Sequence, residues 1–172
     1  QAIVNKIVDL ALVEGDGTNG FKSIDKEADD KKIKKITTKA KSAGKTPFAD
    51  AIEEAVDFVR PTAGRRYLIV KAEDRRALLD ELRQATANAN VRIKNDDAEI
   101  ASEVGVDEII VYTGTKAVKP TVLVDQKYHI DMQDLTKVDA FEWKTNSNMI
   151  LVETLTSGHV ETYNAGAVIT VA

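Results

Sequence analysis

The chain has 172 residues, 30% charged and 43% hydrophobic, with 24 Lys+Arg against 28 Asp+Glu for a net charge of −4. That length buries a sizeable core without covalent staples, and the absence of cysteine excludes disulfides and thiolate metal sites. The acidic balance lacks the broad basic footprint of a nucleic-acid-binding domain, and no apolar run approaches the ~18 residues that suggest a membrane span.

Helical pattern starts at once after Gln1, with neither an initiator methionine nor a capping residue nor the basic-then-apolar order of a signal peptide. This beginning predicts a fragment of a longer protein. Ile3, Val4, Ile7, Val8 and Ala11 recur at three- and four-residue spacing, one face of an amphipathic helix. Gly15 and Gly17, within Gly15-Asp16-Gly17-Thr18-Asn19-Gly20, end that helix in a loop. Residues 25–45 are densely charged and show no strong period, which predicts a mobile connection holding one short strand over 33–37.

Thr46-Pro47 reads as a helix start, a hydroxyl cap followed by a proline whose missing N–H costs nothing there. Phe48, Ile52, Val56 and Val59 follow on one face, and Pro61 closes the helix by pushing its predecessor out of the α region. Residues 67–70 form a short apolar strand, and 72–84 return to helix with Leu78, Leu79 and Leu82 inward. Beyond residue 90 the pattern turns to strands, at 109–112, 121–124, 128–132, 138–143, 149–154, 159–163 and 167–171, separated by Gly, Asn, Asp, Lys-Pro or Ser-Gly. Helices early and strands late predict an α+β fold.

Each arrangement of residues that suggests chemistry has a plainer reading. The glycine loop at 15–20 follows a helix rather than a strand, Lys22-Ser23 stands outside a phosphate-loop frame, and Asp16 repels anions, so it reads as a helix-ending turn. His129 and His159 lie thirty residues apart in strand-like segments without metal-ligand spacing, and read as strand histidines that face solvent or form hydrogen bonds. The acidic pairs Asp29-Asp30, Glu53-Glu54 and Asp96-Asp97 are adjacent in sequence, so their carboxylates diverge onto solvated faces. Ser157-Gly158-His159 lacks a nucleophile elbow. Lys31, Lys32, Lys34 and Lys35 are offset by Glu27, Asp29 and Asp30, which predicts a solvated segment rather than a nucleic-acid patch. No catalytic, cofactor-binding or metal-ligating residue emerges, and no cofactor is expected.

Several segments, in order, resemble the major capsid proteins of tailed bacteriophages with the Hong Kong 97 fold. The helix running into Gly15-Asp16-Gly17-Thr18 and closed by Gly20 is similar to the turn after that family's spine helix. Residues 46–82, with Ala72-Glu73-Asp74-Arg75 opening the second helix, resemble its next block, and Val104-Gly105-Val106 resembles the entry to the following strand. The run from 121 to 172, ending Tyr163-Asn164-Ala165-Gly166-Ala167-Val168-Ile169, resembles its C-terminal part.

The resemblance implies two interleaved lobes: a peripheral lobe from 1–45 and the long hairpin 137–163, and an axial lobe from 46–136 that recovers the final strand 164–172. The link 88–97 would face the centre of a capsomer, although a polar surface loop fits it equally. It further implies a non-enzymatic coat subunit, expressed from a phage or prophage, assembled in the bacterial cytoplasm and resident in the virion. Its partners would be itself, in pentamers and hexamers, with scaffold, protease and portal proteins; the genome would be enclosed without sequence-specific nucleic-acid binding, and no membrane is involved. The family's N-terminal arm and extended loop would both precede Gln1, so the 172 residues alone are expected to be monomeric or weakly associated. Some relatives crosslink their shells; Asn148 and Glu153 lie in the corresponding hairpin at unmatched spacing, and no such role is carried over. Two other readings remain open: an encapsulin-type shell protein, and a small cytosolic α+β ligand-binding domain or enzyme with an anion-binding turn at 15–20.

Overall fold

The computed structural model describes residues 2–18, 20–134 and 154–172. The first apolar period forms α1 (Ala2–Asp9), and the chain runs on through one π-helical turn, Leu10–Glu14. Gly15 ends it, its N–H donating to the Leu10 carbonyl at 3.0 Å. After the glycine loop come β1 (Ile33–Thr37), α2 (Pro47–Val59), β2 (Arg66–Lys71) and α3 (Ala72–Ala85). Then follow α4 (Asp97–Val104), β3 (Glu108–Tyr112), β4 (Thr121–Val124), β5 (Tyr128–Asp134), β6 (Thr154–Val160) and β7 (Gly166–Thr170).

Five strands make one mixed sheet in the order β1-β7-β4-β2-β3, and β5 and β6 pair separately as an antiparallel ribbon. β1 runs parallel to β7 and β2 parallel to β3, while β4 is antiparallel to both of its neighbours. Parallel neighbours need a crossover; α3 and α4 supply it between β2 and β3. The class is α+β.

Helices α2, α3 and α4 cover one face of the sheet. Ile52, Ala55 and Val59 from α2, Leu78 and Leu79 from α3, and Ile100 and Val104 from α4 meet Leu68, Val70, Val122, Val124 and Ile169 there. A smaller cluster lies on the opposite face, where Leu12, Ile24, Ile33, Val118, Val160 and Val168 pack together.

Four expectations change. The charged stretch 25–45 is not loose along its first half: Glu27, Ile33, Ile36 and Thr38 are buried, because apolar residues set between the charges reach the two clusters, whereas residues 39–45 are exposed. Thr46 does not cap α2; its hydroxyl turns to the Asp50 carboxylate at 3.1 Å, and its backbone (φ −121°, ψ 63°) departs from cap geometry. A carboxylate from α3 serves instead. α4 is a helix absent from the sequence reading, opened by Asp96, whose carboxylate accepts from the Ala98 N–H, and closed by Gly105 at φ 82°. The strand expected over 159–163 ends at Val160, because Asn164 is left-handed (φ 53°) and the Asn164 and Ala165 amides fold back onto the Lys31 and Lys32 carbonyls. The strand expected at 138–143 and all but Thr154 of that at 149–154 lie outside the described residues, as do Asn148 and Glu153.

Candidate functional site

The glycine loop is a joint. Two of its amides are engaged within the chain: Gly17 N–H on the Phe21 carbonyl at 2.7 Å, and Thr18 N–H on Asp16 Oδ1 at 2.9 Å. The Thr18 hydroxyl also donates to Asp16, and these bonds hold that carboxyl below its usual range. Gly17 and Gly20 occupy positive φ, and at Gly15 a Cβ would sit 2.7 Å from the Leu10 carbonyl oxygen and 2.8 Å from that of Phe21. The loop is then sewn to the ribbon, with Gly158 N–H donating to the Gly20 carbonyl and Lys22 N–H to the Gly158 carbonyl. The Gly17 and Thr18 amides, committed in this way, are not presented to a phosphate.

Glu14, at the end of the π-helical turn, gathers Lys116 and Lys6, and hydrogen bonds from these ammonium groups bring its carboxyl down to about 2. Lys116 is raised by the same partner. Nearby, Tyr112 donates its hydroxyl to Asp9 at 2.5 Å, which ties α1 to the end of β3.

His129 and His159 stand directly opposite one another on the ribbon, their ring centroids 6.4 Å apart. Glu161 serves both, with an oxygen 2.8 Å from His159 Nε2 and another 3.8 Å from His129 Nε2. The His159 hydrogen bond, and behind it the His129 charge, keep Glu161 below the ordinary carboxylate range. Linear spacing concealed this pairing; the register of the ribbon creates it. His159 therefore answers to Glu161 and not to Ser157. Among the described residues no group of three or more His, Asp or Glu is arranged to hold a metal.

The acidic pairs separate as sequence reading expects. Glu54 pairs with Lys34 at 2.9 Å, Asp97 pairs with Arg75 at 2.5 Å, and Asp96 caps α4. In the lysine run, Lys35 is exposed, but its ammonium donates to the Ile24 and Asp25 carbonyls, and partial burial of that group lowers its pKa. Lys34 also lies 6.0 Å from the Phe58 ring centre. The link before α4 is largely exposed, but Ile93 plugs into the core and its carbonyl accepts from Arg83 Nε at 2.9 Å.

Sequence reasoning missed Glu81 and Asn164. Glu81, on α3, is 9% exposed and accepts from the N–H groups of Phe48 and Ala49. Asn164 donates from Nδ2 to the Phe58 carbonyl at 2.7 Å, while its own carbonyl accepts from the Thr62 hydroxyl at 2.8 Å. An acid on the core side of α3 and an Asn before a glycine-bearing strand were the available signals. Glu14, Glu81, Asn164 and Tyr112 each fasten one element to another, and no described helix is long and apolar enough to cross a membrane.

No protein-family model matches the sequence. The chain is similar to capsid proteins of bacteriophages. It is 96% identical over all 172 residues to the capsid protein of Lactococcus phage p2 and, to the same degree, to that of Lactococcus phage SK1. The chain spans 44% of the length of each.

Proposed function

We propose that the chain is part of a structural coat subunit that builds the icosahedral head of a tailed phage or prophage. The observation that carries this reading is the 96% identity, over the whole chain, to two phage capsid proteins. The internal engagement of the described polar clusters supports it, since shell building asks for a rigid body with complementary edges rather than for reactive groups.

The subunit would have the Hong Kong 97 fold, with a peripheral lobe from 1–45 and 137–163 and an axial lobe from 46–136 completed by 164–172. The parallel pairing of β1 with β7 would be the place where the two interleave. Copies would close head-to-tail into pentamers and hexamers and join into a shell through many weak contacts, with scaffold, protease and portal proteins as further partners. Assembly would take place in the bacterial cytoplasm, and the subunit would end in the virion without enzymatic activity. The 172 residues alone would be monomeric or weakly associated.

Negative-stain electron microscopy of a chain completed to the length of its phage p2 relative tests this. Closed shells or capsomer rings are the expected outcome. A monodisperse monomer at every salt and crowding condition, with co-expressed scaffold present, would reject the reading.

A further inference from the structure

The mixed sheet has unequal faces. Three helices cover one, whereas α1 and the π-helical turn roof the other only in part. Under that roof lies a cavity of about 430 Å³ with an apolar lining that includes Val8, Leu12, Ile24, Ile69, Ile110 and Leu123. Val8 on the helical side and Ile110 on the strand side remain 39% and 43% exposed. Water held against these side chains is released when an apolar segment takes its place.

The two edges of the sheet are unequal as well. β1 carries Lys34 and Lys35, the kind of charge that protects an edge strand from stray pairing. β3, at the other edge, reads Glu108-Ile109-Ile110-Val111-Tyr112 and, among the described residues, pairs on one side only, with β2. Ile110, Val111 and Tyr112 line the cavity, so an unguarded backbone edge and an apolar groove lie side by side. That combination suits an added strand, with main-chain bonds to the edge and alternate side chains in the groove.

The curated relatives supply the candidate occupant. The chain spans 44% of their length, so more than half of each relative's polypeptide lies outside the matched segment. A segment on the same polypeptide meets the groove at an effective concentration of roughly millimolar order, whereas a second copy must arrive from solution. We propose that an extended apolar segment of the full-length polypeptide, from outside these 172 residues, lies along β3 and fills this groove within the same subunit. Covering occurs in the single subunit, so it holds or fails independently of shell formation.

Thiol labelling reads this directly, because the chain has no cysteine. Ile110→Cys places a thiol in the groove, and Val91→Cys places one on the exposed link before α4. Each is made in the 172-residue chain and in a chain completed from the phage p2 relative, with any cysteine of the added part replaced by serine. Both are labelled with a maleimide, dilute enough that light scattering detects no assembly. Labelling at position 110 is expected to slow at least tenfold in the completed chain, with position 91 unchanged. Amide exchange of the unsubstituted chains, which does not depend on the variants folding, is expected to slow across β3. Equal rates in the two chains would overturn the proposal, as would slow labelling already in the 172-residue chain. Protection that develops only on assembly would also overturn it, by assigning the groove to a neighbouring copy.

Discussion

Glu81 accepts the amide hydrogen of Phe48 at 3.1 Å, from α3 onto the first turn of α2. Its second carboxylate oxygen takes the Ala49 N–H at 2.8 Å. The first amides of a helix have no partner within it, and a negative charge is well placed at that end. One buried side chain thus starts α2 and fixes its distance from α3. Glu81→Ala leaves both donors buried and should cost about 2–3 kcal/mol, while Glu81→Gln keeps one acceptor and should cost about 1 kcal/mol. Urea unfolding followed by circular dichroism checks the order.

At the joint after α1, two glycines should respond differently. A methyl group at Gly15 meets two backbone oxygens inside 3 Å, which cannot move without opening the turn. At Gly17 nothing lies within 4 Å, and the cost is only that of a positive φ of 90°. Gly17→Ala should lose about 1–2 kcal/mol, and Gly15→Ala more, with loss of protection at the Gly15 amide in hydrogen exchange.

Asn164 separates two contributions that usually come together. Asn164→Gly keeps the left-handed backbone without strain and loses the side-chain bond to Phe58, for about 1 kcal/mol. Asn164→Ala loses the bond and adds the strain, for about 2 kcal/mol in all. Equal melting temperatures for the two variants would show that the left-handed turn carries no cost here.

Glu14 gives a pH prediction. Its carboxyl is depressed to about 2 by Lys116 and Lys6. A depressed carboxylate contributes stability that is fully present above its unfolded pKa, ordinarily near 4.5, and is lost as pH falls through its folded value. Carbon-detected NMR titration should find Glu14 still ionised at pH 3. Lys116→Met should move its midpoint upward, and Lys6→Met should move it less.

Local physics made much of this fold legible. The proline start of α2, the inward leucines of α3 and the apolar runs of β2, β3 and β4 each carry their own signal within a few residues. α4 escaped because only Ile100, Ala101 and Val104 turn inward along its eight residues; Asp96 and Gly105 at its ends were the readable marks. The cap on α2 was misassigned to Thr46 because the true partner, Glu81, lies far along the chain. The meeting of His129, His159 and Glu161 depends on strand register, which no spacing in the sequence encodes. The parallel partnerships of β1 with β7 and β2 with β3 are likewise set by tertiary packing.

The position of β7 also governs when this fold can come into being. Among the described residues, β1 reaches the rest of the sheet through β7, which lies between it and β4. Residues 33–37 are made well before their hydrogen-bonding partners, residues 166–170. On the ribosome, β1 must wait with an unsatisfied edge until residues 166–170 have been synthesised, and distant pairings of this kind close slowly. A nascent chain halted before Gly166 would hold β4, β2 and β3 on one side and an orphaned β1 on the other, so β7 acts as the keystone that makes them one sheet.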